Sequence, residues 1–445
     1  MTRPKKSAQV PAPALDPAAQ AAAMGVAARL AKQSPLANLH SELAGFKDFG
    51  TTTQQDLLPL GDAFILVYQN EYWTAKQRAG HSLHEVSYRA CYKPQLPEFF
   101  IKRFTKPGDV VYDPFLGRGT TLIEAAMHGR SVVGNDVNPL SAVLTRPRLA
   151  PPTLAEIESR LQTIPLSHDH AISDDDELLV FYERKTLSEL LSWRIYFRER
   201  KDQGTFDTLD EWLQMVACNR MTGHSPGFFS VYTLPPNQAT SVVAQRKINA
   251  KRNQVPEYRD TKKIIFKKSK NLLGDPLPAT FTPIAQPTLL TRSAAHTPEI
   301  ADDSIDLLVT SPPFINVVDY VGDNWLRLWF AELQTNKDDV WQMSSLDKWF
   351  ECISAAFVEF HRIMKPKGII AFEVGEVRKG SLPLEKQVVE CALAAGFKAE
   401  AVMVNSQVFT KTANCWGVKN NEDGTNTNRI VVLTKVLGEG TRDKE

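Results

Sequence analysis

The run from Lys106 to Asp136, KPGDVVYDPFLGRGTTLIEAAMHGRSVVGND, narrows the folds open to this chain more than any other stretch. An apolar β-type segment, Val110 to Tyr112, meets a turn holding Gly117 and Gly119. A helical segment then stops at Gly129, and a second β-type segment follows at Val132 and Val133. Strand, glycine turn, helix, strand is the order of a parallel crossover unit. The rhythm resumes after residue 285. DDSIDLLVTSPPF reads as a buried strand entering a proline turn, and LDKWFECISAAFVEFHRIMKPKG as a helix with a glycine stop before the strand IIAFEV. EKQVVECALAAGFKAEAVMV supplies a further helix and strand, and NTNRIVVLTKV a last strand. The expected architecture is therefore α/β, a doubly wound, mostly parallel Rossmann-like sheet built from residues 36–150 and 285–445. Residues 1–35, low in complexity and punctuated by proline, are expected to be a flexible tail, although an Ala-rich stretch over 17–32 has helical character. Residues 151–284 break the alternation and read as an insertion.

Composition enters mainly through what it excludes. At 43% hydrophobic and 23% charged residues, the chain matches ordinary globular proteins. No stretch reaches the roughly 20 apolar residues of a membrane span. The five cysteines, Cys91, Cys218, Cys352, Cys391 and Cys415, contain no CxxC pair, which argues against a disulfide framework and against a zinc site. No metal is expected. The start of the chain lacks the apolar core of a secretory signal, so the expected location is the cytoplasm. A net charge of +1 does not by itself announce a polyanionic partner.

The chemistry gathers at strand ends. In Asp113-Pro114-Phe115-Leu116-Gly117-Arg118-Gly119-Thr120-Thr121 the glycines allow a sharp turn and a close approach by a ligand. A dinucleotide fingerprint would place a third glycine at position 122, where this chain has Leu. A carboxylate at Asp113 also repels phosphate and suits a cationic ligand, an ammonium or a sulfonium. Asp136, at the tip of the next strand and followed by Val137, is placed to accept ribose hydroxyls. A ligand with a ribose and a positive end is satisfied by S-adenosylmethionine.

The third signal is Thr310-Ser311-Pro312-Pro313-Phe314. Two prolines hold an extended path and lack N–H groups, so the turn offers acceptors, the Ser311 hydroxyl and the Pro312 carbonyl. A nucleobase amine is a poor nucleophile because its lone pair is delocalised into the ring. Acceptors on its N–H bonds draw it toward an attack-ready geometry. Phe314 offers a face on which an everted base can stack. A second Pro-Pro pair, in Leu234-Pro235-Pro236-Asn237, has no polar residue ahead of it and reads as a loop of the insertion.

Taken together, DPFLGRGTT, VVGNDVNP, TSPPF and MKPKGIIAFEV resemble the amino-methyltransferase family of DNA-modifying enzymes, over about 95–145 and 285–436. The resemblance implies a methyltransferase sheet with S-adenosylmethionine held by Asp113, Phe115, Gly117, Gly119 and Asp136. It also implies a methionine pocket completed by the segment from Tyr92, Lys93 and Pro94 onward. Serine at the head of the catalytic motif is the form associated with cytosine N4, whereas aspartate more often accompanies adenine N6. The order, cofactor motif before catalytic motif, departs from many Ser-Pro-Pro members and leaves the subgroup open. Cytosine C5 chemistry, which uses a Pro-Cys nucleophile, is excluded, because the cysteines follow Ala90, Ala217, Glu351, Glu390 and Asn414.

Residues 244–271 carry ten Lys or Arg against two Asp or Glu, which marks a phosphate-contacting strip through Arg246, Lys247, Lys251, Arg252, Lys262 and Lys263. That makes 151–284 the expected target-recognition segment, with double-stranded DNA as the partner and a separately encoded restriction endonuclease as a companion. A solvated lysine-rich face is the bland alternative. Adenine-N6 methylation, RNA guanine-N2 methylation and an inactive cofactor-sensing DNA-binding protein remain rival readings. His81, His84 and His224 are expected to be structural, and Phe409 and Trp416 are further stacking candidates near a loop over 414–428.

Overall fold

The computed structural model describes residues 17–61, 63–73, 80–234, 236–313, 318–335, 345–374, 384–406 and 427–436. Among the described residues nine strands form one sheet: β1 Gln54–Leu60, β2 Ala63–Asn70, β3 Val110–Asp113, β4 Ser131–Asn135, β5 Thr288–Leu290, β6 Ile305–Thr310, β7 Met364–Val374, β8 Phe397–Ser406 and β9 Thr427–Lys435. Their spatial order is β1-β2-β8-β9-β7-β6-β3-β4-β5. β3 pairs in parallel with β4 and β6, β4 with β5 and β6 with β7, while β9 lies antiparallel between β7 and β8. The expected doubly wound, mostly parallel sheet is present.

Period-two burial on both faces explains why these segments are strands rather than helices. Leu307, Val309, Ile369 and Ala371 face one apolar cluster, and Leu308, Ile370 and Phe372 face the other. The second cluster is completed by Phe357 and Phe360 from the helix Leu346–Ile363. Burying side chains of this size contributes roughly 1.5–3 kcal/mol each.

Two elements differ from the sequence expectation. Part of the presumed tail is the helix Pro17–Gln33, in which Ala27 and Ala31 are buried. Alanines four apart present one narrow face that packs closely. The hairpin of β1 and β2 extends the sheet beyond β8, with Leu66 and Tyr68 of β2 buried. Between β4 and β5 the described chain is helical, including Leu154–Thr163, Arg184–Asp202, Thr208–Arg220, Val242–Arg252 and Thr261–Leu272. These helices share the first apolar cluster with the sheet through Trp193, Trp212, Leu213 and Leu272. No described helix is long and apolar enough to cross a membrane.

Candidate active site

The chain reverses its direction of winding between β3 and β6, which are adjacent and parallel. Crevices at the carboxyl ends of strands at such a switch point are the common ligand sites of open α/β sheets. The glycine turn leaves β3 and the Ser-Pro-Pro turn leaves β6, so both open on the same edge. Residues of both line one cleft, among them Tyr92, Phe115, Gly117, Thr120, Asp136, Val137, Ser311 and Pro313. Pro114 lines it as well.

The turn is held from behind. Gly117 and Gly119 have φ of +50° and +77°, and a Cβ at Gly119 would overlap the Thr145 side chain. Arg118, between them, donates to the carbonyls of Val86 at 3.0 Å and His84 at 3.2 Å. The buried Arg148 donates to Leu83 O at 2.9 Å and also reaches the Arg118 carbonyl. Two guanidinium groups thus fasten the segment carrying Tyr88 and Tyr92 over the glycine turn.

Asp136 accepts the Gly117 N–H at 2.8 Å and the Asn138 N–H at 2.9 Å. Burial raises its carboxyl above the ordinary range, against the pull of those N–H groups. It still faces the cleft.

Asp113 is placed differently from the expectation. It is 1% exposed and stands behind the cleft wall rather than at its mouth. Tyr92 Oη donates to its Oδ2 at 2.9 Å, while Thr310 Oγ1 at 2.6 Å and the Phe115 N–H at 3.1 Å both donate to Oδ1. Burial pushes the carboxyl up to about 6 despite these donors. The carboxylate is therefore the bolt that joins the end of β3 to the end of β6, with its oxygens engaged by the chain. Thr121 touches the Tyr92 hydroxyl and donates to Val309 O at 3.2 Å, strengthening the same seam.

Lys93, Pro94 and Gly119 do not line the cleft, and Pro94 instead leads into the helix Gln95–Phe104. Pro312 is buried, and the Pro313 carbonyl accepts Trp349 Nε1 at 3.0 Å, which pins the turn to the helix Leu346–Ile363. Phe314, Phe409 and Trp416 lie outside the described residues.

Sequence reasoning missed Tyr88 and Tyr320, whose rings stack with centroids 6.5 Å apart at the cleft. Nothing in their sequence neighbourhoods marks them. It also missed Glu373, 4% exposed near the end of β7, whose carboxylate accepts Asn428 Nδ2 at 3.0 Å and interacts with the Ser311 hydroxyl. The histidines are structural. His84 Nε2 pairs with Glu124 at 2.7 Å, and His81 accepts the Leu83 N–H at a short-helix cap. His224 packs against the ring of Phe228.

The basic strip divides between two helices. Arg246, Lys247, Lys251 and Arg252 are exposed on Val242–Arg252, with Arg252 over the Tyr232 ring at 3.7 Å. Lys262 donates to Ile164 O at 2.6 Å and so serves an acceptor of the chain, whereas Lys263 pairs with Asp260 at 3.0 Å on the surface and stays exposed. Just ahead of the exposed helix, Pro236 O accepts Arg327 Nη2 at 2.6 Å and the Ala239 N–H reaches Asp323 O at 2.7 Å. Pro236 and Ala239 thus tie the insertion to the segment that follows the Ser-Pro-Pro turn.

Comparison with known proteins gives the same direction. A profile of the family described as DNA methylase matches residues 41–141. The type II methyltransferase M.MjaII of Methanocaldococcus jannaschii is 28% identical over 132 residues, 28% of this chain and 24% of that protein. M.MvaI of Kocuria varians is 42% identical over 67 residues, 14% and 15% of the two chains. M.MthZI of Methanothermobacter thermautotrophicus is 29% identical over 140 residues, 30% and 36%. The chain spans only about a quarter of the first of these relatives and less than two fifths of the others. Similarity to DNA methylases over this segment implies S-adenosylmethionine as the methyl donor. The matched segment carries the glycine turn and both of its carboxylates, and over it the chain is similar to the DNA methylase family.

Proposed function

We propose that this chain methylates duplex DNA at the exocyclic N4 amine of cytosine, at a specific site and with S-adenosylmethionine as donor, within a restriction-modification or host-protection system. The observation that carries the reading is the shared cleft: Ser311 and Pro313 face the same space as Gly117 and Asp136. The cleft fits the donor, with a partly exposed carboxylate for ribose hydroxyls and the aromatic walls Tyr88 and Phe115. Tyr92, Phe115, Gly117, Thr120, Asp136 and Val137 would hold it. When bound, it supplies a methyl group already activated on a sulfonium, so the chain needs no metal for this chemistry.

The residues of the chain position the amine. Ser311 Oγ accepts one amine N–H and turns the nitrogen lone pair out of conjugation with the ring. Asp113 keeps the two turns in register through Thr310 and Tyr92, and that alignment is worth orders of magnitude in rate. Serine rather than aspartate at 311 favours cytosine over adenine. Double-stranded DNA would be held along the exposed helix Val242–Arg252, and the insertion would select the sequence.

Incubating unmethylated bacterial genomic DNA with protein and labelled donor, then analysing the nucleosides by mass spectrometry, tests the reading. The expected product is N4-methylcytosine, with Ser311→Ala at least 10²-fold slower. N6-methyladenine would overturn the choice of base, and label in RNA alone would overturn the choice of polymer.

A further inference from the structure

Beside Ser311 lies a carboxylate that does not line the cleft and that the positioning chemistry does not use. Glu373 sits one residue before the end of β7, where Thr310 of β6 pairs with the preceding residue, Phe372. The register brings Glu373 level with the first residue of the Ser-Pro-Pro turn. Its carboxylate is nearly excluded from solvent at 4% exposure, and its partners are neutral: Asn428 from β9 at 3.0 Å and the Ser311 hydroxyl. The charged groups nearby are otherwise engaged. Tyr92 faces it with a hydroxyl bound to Asp113, and Arg429, the next residue on β9, pairs with Glu385 at 2.7 Å.

Resting on the methyltransferase reading, we infer that Glu373 is a positioning residue for Ser311 that also receives, through it, the proton released by the methylated amine. The parallel pairing of Thr310 with Phe372 sets Ser311 beside Glu373; a carboxylate can only accept, so in that contact Ser311 is the donor and its lone pairs are left for the cleft. This fixes the serine as an acceptor for the amine N–H. Methyl transfer forms the N–C bond, and the S–C bond pair leaves with sulfur. The nitrogen then carries one proton and one positive charge too many. That proton passes to Ser311 Oγ as the serine proton passes to Glu373, which becomes the neutral acid and returns the proton to solvent as product leaves. Burial pre-disposes the acceptor, since desolvation raises the carboxyl and makes it a better base than an exposed glutamate.

Two measurements test the inference. In the donor-free protein, carbon-13 NMR of labelled glutamate should show one carboxyl, absent from Glu373→Gln, that titrates above the ordinary range. Ser311→Ala should move it further up by removing a donor. In single-turnover methylation of unmethylated genomic DNA, Glu373→Gln should lower the rate about 10²-fold and flatten its acid limb. Donor affinity should stay within about twofold of the parent, and Glu373→Asp should recover part of the rate. Asp113 remains in every variant, so the change of profile belongs to Glu373. A Glu373→Gln rate within threefold of the parent at every pH, beside an inactive Ser311→Ala, overturns the relay and leaves the methyltransferase reading standing. A parent protein that methylates no DNA overturns both.

Discussion

Asp113 and Glu373 are carboxylates kept in the interior by neutral donors, an arrangement that folding alone does not favour. For Asp113 the thermodynamic sign can be worked out. Its folded value of about 6 lies above the ordinary 3.8, so between roughly pH 4 and 6 the native state holds a proton that the unfolded chain has released. Stability attributable to this residue therefore falls as pH rises through that window, by about 3 kcal/mol for a displacement of this size. Asp113→Asn should flatten the corresponding part of the stability profile, measured by urea unfolding at a series of pH values. Parallel profiles for parent and variant would contradict the assignment. Glu124, pushed up to about 7 by burial, contributes a slope of the same sign in both proteins and cancels from the comparison. The sequence disclosed Asp113 but not its surroundings. A strand-end Asp before a glycine turn looks like a ligand contact, and only the positions of Tyr92 and Thr310 show it to be a joint between strands. Glu373 was hidden for a related reason, since a single acid closing IIAFEV reads as the point where a buried strand reaches water.

Secondary-structure elements divide the charge of the insertion in a way that linear counting could not. Along the sequence the Lys and Arg of 244–271 form one strip, but they fold onto two helices, and Lys262 of the second is bound to the Ile164 carbonyl. Replacing Arg246, Lys247, Lys251 and Arg252 together by Ala should weaken DNA binding and lower the slope of log affinity against log salt by about 3.6, at about 0.9 per phosphate contact. Donor binding should be unaffected, because none of the four lines the cleft. An unchanged salt slope would remove this helix from the DNA interface. The sheet itself was legible because its central strands are short apolar runs bounded by turn residues. The β1 and β2 hairpin was not, since its outer strand is largely exposed and interrupted by Pro59.

Across the whole molecule, the helices between β4 and β5 and one face of the sheet bury their side chains in the same apolar cluster. A segment that the sequence marks as inserted is thus packed into the protein rather than attached to it. Deleting residues 151–284 should expose the helix Leu140–Leu149 around Leu140 and Leu144 and give aggregated protein. The full chain should unfold in one calorimetric transition, whereas two resolved transitions would show the helices to be an independent unit.

The bond between Asp113 and Thr310 joins residues 197 positions apart. During synthesis the glycine turn leaves the ribosome long before the strand that completes its cleft. At about 5–20 residues per second, that interval lasts roughly 10–40 s. Throughout it the nascent chain has half a pocket and a buried acid without its threonine, so donor binding should begin only after β6 has emerged, and premature termination anywhere in the helices should leave a polypeptide unable to retain the donor.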